Sequence, residues 1–231
     1  MTVGAGPHTE SAPQLIEAVI FDLDGVLADT EPVHLETTRR VLAPAVIPED
    51  EYLGFVGSGP DEFGAHIESR YGVSSEVFYP RYTDMLVELL ATGPAPAMDG
   101  ADAIVRAVHR RGLRVAVASM SRRPWVDATL AAIGLTDLIP LIVTGEEVEF
   151  GKPAPDIYLL TASLLGVEPA ACLVVEDSAN GVAAAAAAGM WVVQTRQGAI
   201  PAEPQPAAHA VIDAFAAFDL RWLEGMPLSR G

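Results

Sequence analysis

Short runs of apolar and β-branched residues recur along the chain and predict the strands of a buried sheet. Several of these runs are apolar at nearly every position, which is typical of parallel strands that are covered on both faces. The six predicted strands span residues 16–22, 113–119, 138–143, 171–177, 190–195 and, with a weaker pattern, 210–212.

Helical patterns fill most of the intervals between these strands. They span residues 101–111, 124–133, 155–165 and 178–188, and the last three are each followed by glycine, a common helix stop. The alternation of strand and helix predicts an α/β fold with a doubly wound, Rossmann-like and mostly parallel sheet. Ligands of such sheets bind at the carboxyl ends of the strands.

One long segment interrupts the alternation. Residues 32–94 contain helix-like stretches at 32–42, 60–71 and 75–90 but no convincing buried strand, so we expect an inserted small α-helical cap domain. The core domain would then comprise residues 1–31 and 95–231. The exit from the insertion, residues 92–98, is rich in proline and glycine and is typical of a linker or hinge.

Composition and charge exclude several classes of function. Half of the residues are hydrophobic and 19% are charged, so the chain has enough apolar surface to fold around a core. The net charge of −17 disfavours nucleic acid and anionic membranes as partners. No stretch is apolar enough to predict a membrane helix, and no secretion signal is evident.

The single cysteine, Cys172, lies in an apolar run and cannot form an intrachain disulfide. We therefore expect a buried structural thiol and a reducing, cytoplasmic location. The sequence carries no signal for a stable assembly, so a monomer or weak homo-oligomer is the expectation.

Polar side chains lie at or just after the carboxyl ends of the predicted strands. Because these ends meet at one edge of a doubly wound sheet, we expect residues distant in sequence to converge in one crevice. The candidates are Asp22, Asp24, Ser119, Lys152, Glu176 and Asp177. Lys152 is the exception among the 14 basic residues, which are otherwise all arginines, and this suggests a specific need for an ammonium group.

Four carboxylates gathered in one crevice would repel each other unless a divalent cation lay among them. Carboxylate oxygens without neighbouring histidine or cysteine suit Mg²⁺ rather than zinc, and Mg²⁺ commonly accompanies phosphate groups. We therefore predict a Mg²⁺ site formed by Asp22, Asp24, Glu176 and Asp177, and a small phosphorylated metabolite as substrate.

The spacing of Asp22 and Asp24 suits covalent catalysis of phosphoryl transfer. A carboxylate attacks phosphorus while a second one protonates the leaving oxygen and later activates water. Residues two apart on an extended segment face the same side, and Gly25 lets the chain turn away after them. Ser119, the backbone amide of Met120 and Lys152 are the candidate binders of the phosphate oxygens.

At these residues the sequence resembles the haloacid dehalogenase superfamily. The four stretches that carry the resemblance occur in the family's order: FDLDGVLAD (21–29), ASMS (118–121), GKPAPDIY (151–158) and VVEDSANG (174–181). The resemblance implies that Asp22 is nucleophile and metal ligand, and that Asp24 is the acid–base group with its carbonyl on the metal. It also implies that Asp177 is a direct ligand and Glu176 a nearby or water-mediated one.

Within the superfamily, residues 22–34 most resemble β-phosphoglucomutase and its sugar-phosphatase relatives. The mutases carry a Lys-Gly-x-x-Arg signature in the cap, whereas the comparable residues 56–60 read VGSGP, so a phosphatase is favoured. His34 matches the mutase pattern and keeps a phosphomutase as the alternative. A carbon–halogen hydrolase has no need of Asp24, and a non-catalytic binding protein would not need an intact nucleophile.

Substrate contacts outside the central crevice are predicted from the cap and from one loop of the core. His34, Gly57 and Ser58 are the candidates in the cap, and Arg122 is the candidate on the core side. Gly57 and Ser58 belong to a glycine-rich turn that can approach a ligand closely. Thr30 is expected to anchor Asp24 or to serve as a hinge.

Overall fold

The computed structural model describes residues 15–56, 60–94, 96–198 and 201–225. Its six strands are β1 (Ala18–Phe21), β2 (Arg114–Ser119), β3 (Leu141–Thr144), β4 (Cys172–Glu176), β5 (Trp191–Thr195) and β6 (Ala210–Ile212). Its helices are α1 (Glu31–Leu42), α2 (Glu49–Leu53), α3 (Pro60–Tyr71), α4 (Ser75–Thr92), α5 (Ala101–Arg110), α6 (Arg123–Ala132), α7 (Asp156–Leu165) and α8 (Ala179–Ala187).

The strands form one sheet in the order β3-β2-β1-β4-β5-β6, and every neighbouring pair is parallel. Phe21, at the end of β1, is in register with Val117 of β2 and Val175 of β4. The chain leaves β1 towards one edge and later continues from β4 towards the other, so the strand order reverses between β1 and β4. This confirms the predicted fold class and places the expected ligand crevice at the ends of β1 and β4.

Alternation along the strands divides the core into two layers. Val19 and Phe21 of β1 pack in a cluster with α5 and α6, whereas Ala18 and Ile20 pack in a cluster with α7 and α8. Successive side chains of a strand point to opposite faces, so strands that are apolar throughout suit a sheet covered on both sides. The core therefore fixes β1 rigidly just before Asp22.

Helices α1 to α4 lie between β1 and α5 and enclose a hydrophobic cluster of their own. Ile67 of α3 and Phe78 and Leu86 of α4 are among its most buried members. The indole nitrogen of Trp125 on α6 donates to the hydroxyl of Thr83 on α4 across 3.0 Å, which joins this helical unit to the core. The exact division into a core and a cap of residues 32–94 stays a prediction.

The observed elements differ from the predicted ones mainly at their ends. Strand β3 begins at Leu141 rather than 138, because Pro140 has no amide to donate and Thr136–Leu138 forms a short 3₁₀ turn instead. The sequence pattern does not predict helix α2, because its five residues are too few to show a helical period. Among the described residues, no helix is both long and apolar enough to cross a membrane.

Candidate active site

The carboxyl ends of the central strands bring the candidate residues together. Asp22 directly follows β1, and its backbone amide donates to the carbonyl of Val175 on β4 across 2.9 Å. Ser119 ends β2 and Glu176 ends β4. Because Phe21 is in register with Val117 and Val175, Glu176 is level with Asp22 and Ser119 lies one position further along β2. Neighbouring strands thus carry groups from distant parts of the sequence to one edge of the sheet.

Lys152 bridges the two central carboxylates. Its ammonium nitrogen lies 2.6 Å from Asp22 Oδ1 and 2.7 Å from Glu176 Oε1, and it also donates to the carbonyl of Ala118 across 3.1 Å. Burial opposes the charged form, but Asp22 and Glu176 raise the pKa of Lys152 well above its ordinary value. The side chain is only 6% exposed, so this positive charge acts inside the protein and is weakly screened.

Glu176 is a fully buried carboxylate whose two oxygens accept five hydrogen bonds. Oε1 accepts from Lys152 and from the hydroxyl of Tyr158 at 2.9 Å, and Oε2 accepts from the amides of Asp177 and Ser178 and from the Ser178 hydroxyl, at 2.8, 2.9 and 3.0 Å. Burial would raise the pKa of Glu176, but Lys152 and these donors lower it below its ordinary value. The lowered pKa favours the carboxylate form of Glu176, which holds Lys152 in place through its hydrogen bond.

Asp24 is held by hydroxyl groups from both sides of the crevice. Thr30 donates to Oδ1 at 2.6 Å, Ser121 and Ser119 donate to Oδ2 at 2.7 and 3.3 Å, and His34 Nε2 lies 3.8 Å from Oδ1. Burial alone would raise the pKa of Asp24, but His34 and the hydroxyls of Thr30 and Ser121 lower it to about 2. Asp24 is therefore an anion in this arrangement.

Asp22 and Asp177 are the carboxylates whose charges are least compensated. Burial raises the pKa of Asp22 to about 7 against the opposing effect of Lys152. Burial, with the negative charges of Glu176 and Asp22, raises the pKa of Asp177 to about 9. The Asp177 carboxylate lies against the turn after Asp24, since a Cβ on Gly25 would stand 2.1 Å from Asp177 Oδ2. Gly25 also has a φ of +77°, so glycine suits this position on two counts.

The carboxylates of Asp22 and Asp177 fit Mg²⁺ better than a metal ion whose coordination shell is made entirely of protein side chains. Within residues 15–56, 60–94, 96–198 and 201–225, no three acidic, histidine or cysteine side chains converge closely enough to enclose a metal ion. Mg²⁺ usually takes one or two carboxylates and completes its shell with water and substrate phosphate. Asp22 and Asp177 supply such a pair, and a cation beside them would relieve the repulsion that raises their pKa values.

The other two predicted ligands are placed differently. The Glu176 oxygens are occupied by five donors, and the Asp24 carboxylate faces hydroxyl groups. The side chain of Glu176 thus lies behind Lys152, as a support rather than an open ligand. Any contact of Asp24 with a metal falls to its backbone carbonyl, as the family resemblance implies.

The remaining predicted residues lie around the rim. The Met120 side chain is 44% exposed and packs over Gly145 and Gly151, where added Cβ atoms would stand 2.7 and 2.6 Å from its methyl group. His34 Nδ1 is hydrogen-bonded to the Tyr82 hydroxyl at 2.5 Å. The Arg122 guanidinium lies 6.0 Å from the ring centre of Tyr79 on α4 and 3.8 Å from Glu146. Gly57 and Ser58 lie outside the described residues.

Sequence reasoning missed three side chains that the site uses. Ser121 donates to Asp24, Tyr158 donates to Glu176, and Ser178 donates to Glu176 while its hydroxyl also accepts from the amide of Gly181 as the N-cap of α8. A signal existed for Ser121, which stands two residues after Ser119. Nothing in the sequence distinguishes Tyr158 from an ordinary buried tyrosine of an amphipathic helix.

The sequence of this chain is similar to those of known hydrolases. A family model described as haloacid dehalogenase-like hydrolase matches residues 16–189. The chain is 33% identical to fructose-1-phosphate phosphatase YqaB of Escherichia coli, over 77% of this chain and 95% of the relative. It is 34% identical to β-phosphoglucomutase of Mycobacterium bovis, over 78% of this chain and 81% of the relative.

A solved structure extends the likeness to the whole fold. The structure of a mutant of CbbY from Rhodobacter sphaeroides, in complex with xylulose-(1,5)bisphosphate, superposes with a TM-score of 0.80 at 28% identity. The alignment covers 88% of this chain and 96% of that one. Relatives of this chain thus include a phosphatase and a phosphomutase.

Proposed function

Because the chain belongs to the haloacid dehalogenase-like hydrolases, we propose that it is a Mg²⁺-dependent phosphatase that forms a covalent phosphoryl intermediate on Asp22. The observation that carries the proposal is the Lys152 ammonium, buried between Asp22 Oδ1 and Glu176 Oε1 at 2.6 and 2.7 Å. A buried cation fixed on the nucleophile and next to a second carboxylate is the arrangement that phosphoryl transfer to a carboxylate needs.

Lys152 orients the nucleophile by holding one of its two oxygens. With Oδ1 bound to Lys152, Oδ2 of Asp22 is the oxygen that attacks the phosphorus. A bond forms between Oδ2 and phosphorus while the bond from phosphorus to the ester oxygen breaks. When bound next to Asp22 and Asp177, Mg²⁺ supplies positive charge that offsets the negative charge of the phosphate oxygens.

Asp24 transfers the protons at the leaving oxygen and at water. In the first step it must carry a proton for the departing oxygen. Loss of the Thr30 hydrogen bond and movement of His34 away from the carboxylate would raise the pKa of Asp24 towards that form. In the second step the anion accepts a proton from the water that attacks phosphorus, and the bond from Asp22 Oδ2 to phosphorus breaks. In this proposal the Ser119 hydroxyl and the Met120 amide donate to the phosphate oxygens.

We propose a phosphorylated sugar or a similar small metabolite as the substrate class. Two similar proteins support this substrate class, since one is a fructose-1-phosphate phosphatase and the other is bound to xylulose-(1,5)bisphosphate. Residues 32–94 act in this proposal as a cap that closes over the substrate and excludes bulk water. Because α1 to α4 enclose a hydrophobic cluster of their own, the cap moves as one unit in this proposal.

The net charge of −17 and the single buried cysteine support a cytoplasmic enzyme without nucleic-acid or membrane partners. We propose that it works as a monomer or weak homo-oligomer. Sedimentation velocity of the purified protein measures its oligomeric state directly.

A phosphomutase is the second candidate, and His34 is the observation that favours it. The imidazole lies 3.8 Å from Asp24 Oδ1 and matches the mutase pattern of residues 22–34. Against it, residues 56–60 carry no basic side chain to retain a second phosphate. With hexose 1-phosphates, release of inorganic phosphate supports the phosphatase, whereas conversion to the 6-phosphate supports the mutase.

A screen of phosphorylated metabolites with Mg²⁺ tests the main proposal. Replacing the nucleophile in Asp22→Asn removes the covalent route and should lower kcat by at least about 10³-fold. The exposed Asp127→Asn change on α6 is the matched control and should retain activity. The proposal fails if the wild type releases no phosphate in the presence of Mg²⁺, or if Asp22→Asn is as active as Asp127→Asn.

A further inference from the structure

Gln194 is a fully buried polar residue next to the site that the mechanism above does not use. It lies on β5 directly opposite Glu176 of β4 in the parallel register, and its exposed fraction is 0%. A buried amide is costly unless its hydrogen-bonding groups are paired, so its partners indicate what it holds in place.

The Gln194 amide is paired at both ends with backbone groups. Its nitrogen donates to the carbonyl of Asp177 at 3.3 Å and to the carbonyl of Glu203 at 3.0 Å, and its oxygen accepts from the amide of Gln205 at 2.7 Å. The opposite orientation would turn the amide oxygen towards two carbonyl oxygens, so the network permits one orientation only.

Asp177 is consequently clamped on both sides of its Cα. Its amide donates to Glu176 Oε2 at 2.8 Å, and its carbonyl accepts from Gln194. With both flanking peptide groups held by buried side chains, the direction of the Asp177 Cα–Cβ bond is fixed. From this position Asp177 Oδ2 lies against Gly25, the residue after Asp24, where an added Cβ would stand 2.1 Å from it.

We infer that Gln194 is a positioning residue for the metal-binding carboxylate Asp177. The inference rests on the proposed function, since it assigns Asp177 to Mg²⁺. Groups that orient a metal ligand commonly change metal affinity by about 10–100-fold when they are removed. Loss of the Gln194 amide should therefore weaken Mg²⁺ binding while leaving recognition of the phosphate, which falls to Ser119 and Lys152, nearly unchanged.

The test compares two glutamines that make the same kind of contacts. Gln194→Met removes the amide at similar volume. Gln197→Met is the matched control, because the Gln197 amide also donates to a carbonyl and accepts from an amide, at 2.8 Å each, but its partners are Asp99 and Phe215. Gln194→Asn, which keeps an amide but is one methylene too short to reach both sides, is the second variant if the Met variant folds poorly.

The readouts are Mg²⁺ binding to the enzyme without substrate, by isothermal titration, and the Mg²⁺ concentration that gives half-maximal hydrolysis of p-nitrophenyl phosphate. Gln194→Met should raise the Mg²⁺ dissociation constant by about 10–100-fold, with the substrate KM at saturating Mg²⁺ within about twofold of wild type. Gln197→Met should bind Mg²⁺ as the wild type does.

Two results overturn the inference and can be told apart. In the first, the wild type binds Mg²⁺ and hydrolyses substrate, but the Gln194 variants show no loss specific to that residue. Either Gln194→Met and Gln194→Asn bind Mg²⁺ as tightly as the wild type, or Gln197→Met weakens Mg²⁺ binding as much as Gln194→Met does. Gln194 then has no positioning role. If the wild type itself neither binds Mg²⁺ nor hydrolyses any phosphate ester, the proposed function fails and the inference fails with it.

Discussion

Replacing Glu176 by glutamine should destabilise the protein strongly, although the two side chains have nearly the same shape. The carboxylate accepts five hydrogen bonds through two oxygens, whereas an amide offers one oxygen and an NH₂ group. If the NH₂ replaces Oε2, the amides of Asp177 and Ser178 lose their acceptor. If the NH₂ group replaces Oε1, it faces the Lys152 ammonium, and two hydrogen-bond donors then point at each other.

The magnitude follows from these two alternatives. Two buried amides left without an acceptor cost about 1–3 kcal/mol each, and in either orientation Lys152 also loses a buried anionic neighbour. We expect a loss of at least about 3 kcal/mol of unfolding free energy, which for a chain of this size lowers Tm by roughly 6–12 °C. Thermal unfolding followed by circular dichroism, without added divalent cation, measures it.

Glu147→Gln is the control for this prediction. Glu147 is exposed, and one of its oxygens accepts both the amide and the hydroxyl of Thr144, at 2.7 and 3.1 Å. A single amide oxygen can serve both donors, so the loss should stay below about 1 kcal/mol. The reasoning about donor number is refuted if Glu176→Gln unfolds within 2 °C of wild type, or if Glu147→Gln loses as much.

Two further predictions concern the same half of the core. In Gly181→Ala the new Cβ would stand 1.6 Å from Glu176 Oε1. We expect thermal unfolding to show a loss of about 1–3 kcal/mol of unfolding free energy, although alanine has the better helix propensity. The control is Asn180→Ala on the exposed side of α8, which should show no loss. Equal stability of the two variants would show that the carboxylate has room to move. Burial, with the charge of Glu17, raises the pKa of Cys172 to about 12, so the thiol stays protonated at pH 8. Cys172 should therefore react with a disulfide reagent only after guanidinium has unfolded the chain. Rapid reaction of the native protein would contradict this prediction.

The sheet and its active edge were predictable because one physical rule governs both. Apolar runs of strand length mark the buried strands, and the polar residues that end them must lie at one edge once the strands are parallel. This rule is sufficient to group Asp22, Ser119 and Glu176. It uses only local sequence pattern together with the expected topology.

The roles within the site were harder to predict, because they depend on side-chain contacts between distant residues. The sequence pattern groups Glu176 with the metal ligands, yet Tyr158, Lys152 and the start of α8 occupy its oxygens. Gln194 carries no motif, and its role depends on a carbonyl of the neighbouring strand end. Sequence pattern indicates which residues approach the edge, but it does not indicate which of their atoms remain open.

The burial of the chain's one lysine has a practical consequence for handling the protein. Lys152 is fixed between two carboxylates and 6% exposed, and all other basic side chains are arginines. Reagents that acylate or cross-link lysine therefore find no accessible ε-amine on the folded protein. Acylation of Lys152 would in turn report that the central ion pair has opened, so amine chemistry becomes a probe of the integrity of the active site.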